Sequence, residues 1–257
     1  MSGPGRGPAV LWAVVVVAVA GLVLAVSRTV PDGSGRPAPA AAPVTDGLVG
    51  APASGGADVV AAENGAVPGV SAAWAREVGG RTGIPPRALV SYAAAALRLA
   101  EEQPDCRLGW PTLAGIGAVE SHHGTYGGTY VRADGRTAEP IAGIALDGGE
   151  GVAAIADTDG GELDGDTVWD RAVGPLQFIP ATWRRWGADG DGDGVSDVHD
   201  LDDVALAAGR YLCAGGGDLG DGADWRRAVL TYNRSGEYAT RVLETANGYA
   251  RASWSRP

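Results

Sequence analysis

The sequence predicts a mainly α-helical domain behind a hydrophobic N-terminal segment and a flexible linker. Apolar residues recur with a helical period in several segments after residue 70, and no alternation of strands and helices suggests a parallel sheet. The length of 257 residues, with 45% hydrophobic content, suffices for one domain of ordinary size. We therefore expect a single folded domain over residues 70–257.

The N-terminal segment is uncharged over residues 9–26 and flanked by arginines. Its length is at the lower edge of a membrane span but exceeds that of a usual signal-peptide core, and its cleavage motif is poor. Residues 1–26 therefore predict a transmembrane anchor, with a cleaved signal peptide as the alternative. Residues 27–69 are rich in Pro, Ala and Gly and predict a flexible linker. Under either interpretation the remainder is exported, tethered outside the cytoplasmic membrane or secreted.

Charge and cysteine content narrow the class of protein further. A formal net charge of −11 argues against nucleic acid as a partner, because a binding protein must neutralise phosphates. The two cysteines, Cys106 and Cys213, are too few for a metal site, whereas an exported pair is typical of a disulfide. We expect this disulfide to be structural.

Seven segments have the pattern of helices, separated by one long irregular stretch. Residues 125–170 are dominated by Gly, Asp and Thr, and we expect a loop with short strands that could line a cleft. The expected helices are Val70–Gly80, Pro86–Glu102, Pro111–Gly124, Ala181–Gly187, Leu201–Ala214, Trp225–Tyr232 and Glu237–Tyr249.

The third of these helices carries the clearest catalytic candidate, Glu120. Pro111 suits the first turn and Gly124 suits the C-cap. Partial burial and the negative end of the helix dipole should both raise the pKa of Glu120, so that it can act as a general acid. The alternative is a solvated glutamate at a frayed helix end. The i, i+3, i+4, i+7 spacing places four residues on one face: Leu113, Ile116, Gly117 and Glu120.

A second chemical signal is the acidic stretch at residues 189–200, which has the spacing of an EF-hand loop with Gly194 at position 6. Position 12 is Asp200 in place of the usual glutamate, so coordination there could be looser, and sodium or magnesium remains open besides calcium. We expect a structural calcium ion, with a solvated acidic turn as the alternative. The expected ligands are the carboxylates of Asp189, Asp191, Asp193, Asp197 and Asp200 and the carbonyl oxygen of Val195.

Two other groups of polar residues could suggest chemistry. His122 and His123 are adjacent on a helix, so their rings should point apart, and a solvated helix end is favoured over a shared metal or base role. The acidic residues between 157 and 166 lack any recognisable ligand spacing, which favours an exposed or cleft-lining loop over a metal site.

Three segments together resemble one family. GIGAVESHHG at residues 115–124, AVGPLQFIPATW at residues 172–183 and AVLTYNRSGEYA at residues 228–239 resemble, in order, the motifs of the lytic murein transglycosylases of the membrane-bound B type. The resemblance covers about residues 70–249. It implies a lysozyme-like helical domain that cleaves the bond between N-acetylmuramic acid (MurNAc) and N-acetylglucosamine (GlcNAc) in peptidoglycan.

By this resemblance Glu120 is the sole catalytic acid and base, and Phe178 and Ile179 pack beneath the site. Residues 132–170 form an insertion relative to better-known members. The alternatives to sugar contact are a place in the core for Tyr232 and Tyr238, a loop-fixing amide for Gln177 and a helix cap for Asn233. The resemblance implies sugar-contacting positions at Ser121, Gln177, Tyr232, Asn233 and Tyr238.

The implied reaction needs one carboxylate and no catalytic cofactor. Glu120 would protonate the glycosidic oxygen and then remove a proton from the C6 hydroxyl, which closes a 1,6-anhydroMurNAc ring. A hydrolytic muramidase, with Asp134, Asp166 or Asp170 as the second carboxylate, is the first alternative; a non-catalytic peptidoglycan-binding scaffold is the second. The expected partners are glycan strands, the membrane and other cell-wall enzymes.

Overall fold

A computed structural model describes residues 69–149 and 151–254 of the chain. These residues form seven α-helices and a small two-stranded sheet, which confirms the mainly α prediction. The helices are α1 (Ala72–Thr82), α2 (Pro86–Glu102), α3 (Trp110–Ser121), α4 (Pro180–Trp186), α5 (Leu201–Gly216), α6 (Gly222–Tyr232) and α7 (Gly236–Trp254), and the strands are β1 (Ala142–Ala145) and β2 (Arg171–Val173).

Helix termini follow from local sequence. Two prolines, Pro85 and Pro86, start α2, because proline needs no hydrogen-bond partner for its nitrogen in the first turn. Asp200 and Asp221 cap α5 and α6 with their carboxylates, which accept hydrogen bonds from backbone N–H groups of the first turn. The predicted bounds of α2 agree with the structure, whereas α6 and α7 begin earlier than predicted.

The core is built around α3, which is buried along most of its length. It packs against α7 and α2, while α5 packs against α2 and α6. Glycine at position 115 allows α3 and α7 to approach closely, because a Cβ on Gly115 would lie only 2.9 Å from the carbonyl oxygen of Val242 in α7. The helix that carries Glu120 is therefore held on two sides, and its C-terminal end opens toward the sheet.

The sheet lies within and beside the long segment that the sequence predicts as a loop with short strands. Strand β1 pairs antiparallel with β2, with Ala142 opposite Val173 and Ala145 opposite Arg171. The chain turns back immediately after β2, since Val173 and Phe178 exchange backbone hydrogen bonds. This tight turn, from Val173 to Phe178, contains half of the second motif.

The structure also decides the predictions of the disulfide and of the C-cap of α3. Cys106 and Cys213 form the expected disulfide, with Cα atoms 5.4 Å apart. The α3 C-cap is His122 at φ 52°, not Gly124, because the helix ends one turn before the glycine. The anchor and linker predicted for residues 1–26 and 27–69 lie outside the described residues, except for Gly69. Within the described ranges, no helix is long and apolar enough to cross a membrane.

Candidate active site

Glu120 lies in the last turn of α3 and is only 7% exposed. Burial raises the pKa of its carboxyl group to about 7, while the neighbouring Tyr238 hydroxyl and the Arg241 guanidinium oppose the increase. Its Oε2 atom is buried and has no hydrogen-bond partner among the described residues. The solvated alternative is therefore wrong, and the carboxyl group can hold a proton near neutral pH.

Ser121 connects the first motif to the second. Its hydroxyl donates to the carbonyl oxygen of Pro175 at 2.6 Å and accepts from the backbone N–H of Gly124 at 2.7 Å. The residue is 1% exposed. Both hydrogen-bonding functions are used inside the protein, so this arrangement supports a positioning role and not the expected contact with a sugar.

Gln177 projects from the tight turn after β2 with a left-handed backbone, φ 52°. Its side-chain amide donates to the carbonyl oxygen of Gly174 at 2.9 Å, so one amide function fixes the loop, as the alternative interpretation expects. Across the sheet, a Cβ on Gly143 would lie 3.0 Å from Gln177 Oε1. The absence of a side chain at Gly143 therefore leaves room for the Gln177 amide.

Tyr232 joins the third motif to the second. Its hydroxyl donates to the carbonyl oxygen of Leu176 at 2.7 Å, and its half-buried ring meets Phe178 edge-on with centroids 5.9 Å apart. Phe178 and Ile179 are buried beneath this contact, as expected. The Tyr232 side chain is largely committed to packing, which agrees better with the core-aromatic alternative than with an open stacking surface.

Asn233 and Tyr238 complete the third motif. Asn233 is the C-cap of α6 and is 3% exposed, and its side-chain oxygen accepts from the backbone N–H of Ser235. Tyr238 is 2% exposed, and its buried hydroxyl has no hydrogen-bond partner in the described part of the chain. Since this hydroxyl neighbours Glu120, it is available to the carboxylate or to a bound ligand.

The two histidines have different environments. Both follow α3 with left-handed backbones, at φ 52° and 61°, and are not on a helix as expected; His122 is exposed, but the prediction of a solvated position is wrong for His123, which is 6% exposed. His123 Nδ1 lies 3.2 Å from the Tyr92 hydroxyl and Nε2 lies 3.0 Å from the Tyr249 hydroxyl. Burial lowers the pKa of His123 to about 4. This neutral ring ties the end of α3 to α2 and α7.

Three residues that contact or influence the candidate site residues were not predicted from the sequence: Tyr92, Gly143 and Arg241. Arg241 follows Tyr238 by one helical turn in α7, and that i, i+3 spacing is a signal the sequence does contain. The roles of Tyr92 and Gly143 depend on contacts across 31 and 34 residues of chain, respectively, and no local pattern indicates them.

The predicted calcium loop connects α4 to α5, and part of its ligand set comes together. Carboxylate oxygens of Asp189, Asp191 and Asp203 lie within 4.8 Å of one another, and so do those of Asp191, Asp200 and Asp202. Asp202 and Asp203 were not predicted, because they follow the twelve-residue loop in the first turn of α5. An all-oxygen donor set of this kind suits a hard divalent cation.

Some of the predicted ligands lie near the guanidinium group of Arg136. Arg136 lies 3.1 Å from Asp193, 3.4 Å from Asp197 and 3.7 Å from Asp200, while the Val195 side chain is 52% exposed. Burial among other acids raises the pKa of Asp200 to about 7 and of Asp203 to about 6. Arg136, together with Arg87, whose guanidinium group pairs with both carboxylate oxygens of Asp202, thus compensates only part of the negative charge at the base of α5.

The fold and the isolated buried glutamate define a helical domain with a site suited to general acid catalysis, and sequence comparison identifies the class. Residues 154–229 match the model of the family described as Transglycosylase SLT domain. The match includes the second motif, the acidic loop and the start of the third motif, but it begins after Glu120. It confirms the predicted resemblance and class of enzyme, a lytic murein transglycosylase.

Other comparisons add little. No curated protein matches the chain. Among solved structures, the lytic transglycosylase Slt35 of Escherichia coli in complex with bulgecin A is similar, with 14% identity over 71% of this chain and 79% of that chain. The TM-score of 0.39 is too low to establish a common fold.

Proposed function

We propose that this enzyme cleaves the MurNAc–GlcNAc bond of peptidoglycan and leaves a 1,6-anhydroMurNAc end, with Glu120 as its single acid and base. The observation that carries the proposal is the environment of Glu120: the carboxyl group is buried, burial raises its pKa to about 7, and its Oε2 has no hydrogen-bond partner among the described residues. The family match supports peptidoglycan as the substrate.

In the described part of the chain, the surroundings of the three predicted second carboxylates favour this route over hydrolysis. Retaining and inverting hydrolases place two carboxyl groups roughly 5 to 9.5 Å apart. The three candidates are engaged otherwise: both carboxylate oxygens of Asp170 accept from Thr158, Asp166 pairs with Arg171 at 2.9 Å, and Asp134 is exposed. Only Tyr238 and Arg241 modify the effect of burial on the pKa of Glu120 within the described residues.

The side chains around Glu120 suit a carboxyl group that first loses a proton and then regains it. Glu120 donates its proton to the glycosidic oxygen, and the carboxylate that results gains stabilisation from the Tyr238 hydroxyl and the Arg241 guanidinium. The carboxylate then takes the proton of the C6 hydroxyl as that oxygen attacks C1, which regenerates the acid. A pKa of about 7 lets the same carboxyl group act as the acid in the first transfer and as the base in the second near neutral pH.

The test is mass spectrometry of the soluble products from purified peptidoglycan digested by the full chain and by Glu120→Gln. We expect anhydro-muropeptides from the unsubstituted enzyme and none from the variant. New reducing ends that depend on Glu120 would indicate a muramidase. Equal lysis by both proteins would remove Glu120 from catalysis, and binding without products from either would favour a scaffold.

We also propose that the acidic loop holds a structural calcium ion and that residues 1–26 anchor the enzyme outside the cytoplasmic membrane. The oxygen clusters around Asp191 support the first, and Asp189, Asp200, Asp202 and Asp203 would supply further ligands. The ion would provide charge compensation between α4 and α5, with no part in the proton transfers. The uncharged segment supports the second, and the disulfide agrees with an exported location.

A further inference from the structure

Two exposed arginines near the candidate active site have no acidic partner among the described residues, although the chain as a whole is acidic. The net charge of the chain is −11. Most of the other arginines in the described residues form ion pairs with carboxylates, such as Arg210 with Glu102 at 2.9 Å. Arg185 and Arg234 have no carboxylate oxygen within 4.0 Å in the described part of the chain. Their positive charge is therefore available to an anion from outside.

A row of three aromatic rings leads from the active site to these arginines. Tyr232 and Tyr211 have centroids 5.7 Å apart, and Tyr211 and Trp186 have centroids 5.4 Å apart. We call these three rings the aromatic row. Its inner member, Tyr232, lies in the electrostatic field of Glu120, and the other two are half-buried. The row thus links the packed ring of Tyr232 to the half-buried rings of Tyr211 and Trp186.

Arg185 lies against the outer end of the aromatic row, with its guanidinium carbon 5.4 Å from the Trp186 ring centroid. An arginine held against an aromatic ring keeps its N–H edge free, and that edge matches a carboxylate in two parallel hydrogen bonds. Since Arg185 covers one face of Trp186, this end of the row suits an anion better than a stacked, uncharged sugar.

Arg234 approaches the same row from the third motif. The Tyr211 hydroxyl donates to the carbonyl oxygen of Thr231 at 3.0 Å, which brings Thr231, three residues before Arg234, beside Tyr211. Both Arg185 and Arg234 exert a positive field on the Tyr211 hydroxyl. The positive charges of the two arginines therefore both reach the middle ring of the row.

We propose that Arg185 and Arg234 form a binding site for the carboxylates of a peptidoglycan peptide stem. The inference rests on the proposed function, because that substrate brings glycan to Glu120 and carboxylates to the surface beside it. The stem is attached to MurNAc through an amide, so its free carboxylates lie away from the sugar rings. The site would select strands that bear unmodified stems and orient them across α4 and the α6–α7 junction.

The test compares two synthetic muropeptide oligosaccharides that differ only in whether the stem carboxyl groups are free or amidated. The enzyme should show a KM about fivefold lower for the free acid, as expected for exposed charge pairs, and the difference should shrink at 0.5 M salt. The double variant Arg185→Gln/Arg234→Gln should lose the difference while its kcat on the amidated substrate is unchanged. Arg184→Gln, an exposed neighbour on α4, is the matched control and should retain the difference.

Three results would overturn the inference, and each can be distinguished from a failure of the proposed function. Equal KM values for both substrates with the unsubstituted enzyme would exclude a carboxylate site. A difference that persists in the double variant would place that site elsewhere. A stem-free glycan, which exposes the lactyl carboxylate of muramic acid, should be insensitive to the double substitution; equal sensitivity would identify that carboxylate as the ligand. Failure of the enzyme to cleave either substrate would instead contradict the proposed function.

Discussion

At the residue scale, the ionisation of Glu120 should control both activity and stability. Because the acid form donates the proton, kcat/KM should be constant below pH about 7 and fall roughly tenfold per pH unit well above it. A pH–rate profile of the full chain on a soluble glycan measures this directly. A profile that rises through pH 7 would assign the acid to another group.

The same ionisation has a defined effect on stability. The pKa of Glu120 is about 7 in the folded protein against an ordinary value of 4.5, so the folded state retains a proton that the unfolded chain loses. The contribution of Glu120 to stability therefore falls as pH rises from about 4.5 to 7, by up to about 3 kcal/mol. Glu120→Gln removes this effect and should be increasingly stabilising, relative to the parent, between pH 4 and pH 8. Urea unfolding at both pH values tests this, and a constant difference would contradict it.

Gly117 shows how little space surrounds the catalytic helix. A Cβ at this position would overlap the hydroxyl of Tyr92, which is fully buried. Gly117→Ala should cost about 1–3 kcal/mol of stability and reduce kcat by about 10- to 100-fold, because Glu120 lies one turn further along α3.

Gly248→Ala is the matched control for Gly117→Ala. It also lies within a helix, α7, but an added Cβ would meet no heavy atom within 4 Å. It should gain about 0.5–1 kcal/mol through lower entropy of the unfolded chain. Thermal melts and turnover rates of both variants provide the comparison, and similar effects of the two would show that α3 has room to relax.

At the element scale, the acidic loop between α4 and α5 should respond to calcium. Free calcium a hundredfold above its Kd would stabilise the folded protein by about 3 kcal/mol, which corresponds to roughly 5–10 °C in Tm. A chelator should reverse this shift without altering turnover of the folded enzyme. An unchanged melting curve would exclude a structural calcium ion.

Substitution can locate that ion. Asp203→Asn should abolish the calcium-dependent shift, because Asp203 shares a cluster of carboxylate oxygens with Asp189 and Asp191. Asp105→Asn, an exposed aspartate in the α2–α3 connection, should leave it intact. Loss of the shift in both variants would point to a general effect of charge.

Local sequence rules predicted the elements better than the contacts between them. The double proline of α2 and its termination near Pro104 are local signals, so its bounds could be predicted. The burial of His123 and the participation of Asp203 depend on α7 and on the fold of residues 189–200, and periodicity carries no information on either. Motif resemblance predicted a catalytic role for Glu120, which stays a prediction, and it could not distinguish residues that contact substrate from residues, such as Ser121, whose hydroxyl connects two motifs.

At the scale of the whole molecule, one covalent link spans much of the described domain. The Cys106–Cys213 disulfide joins residues 107 positions apart and connects the segment before α3 to α5. By the chain-entropy argument it stabilises the fold by about 3–5 kcal/mol. The double variant Cys106→Ala/Cys213→Ala should melt about 10 °C lower yet retain the turnover of the folded enzyme at low temperature. Unchanged stability would show that the folded helices need no such link.

The three motifs meet through hydroxyl groups that bind consecutive carbonyl oxygens: Ser121 holds Pro175 and Tyr232 holds Leu176. These two hydrogen bonds, from side chains elsewhere in the chain, therefore fix the backbone immediately before Gln177. Anyone who grafts this site onto another helical scaffold would have to transfer both hydroxyl-bearing side chains along with Glu120 and Gln177. A minimal graft of acid and amide alone would reproduce the chemical groups without the frame that aligns them.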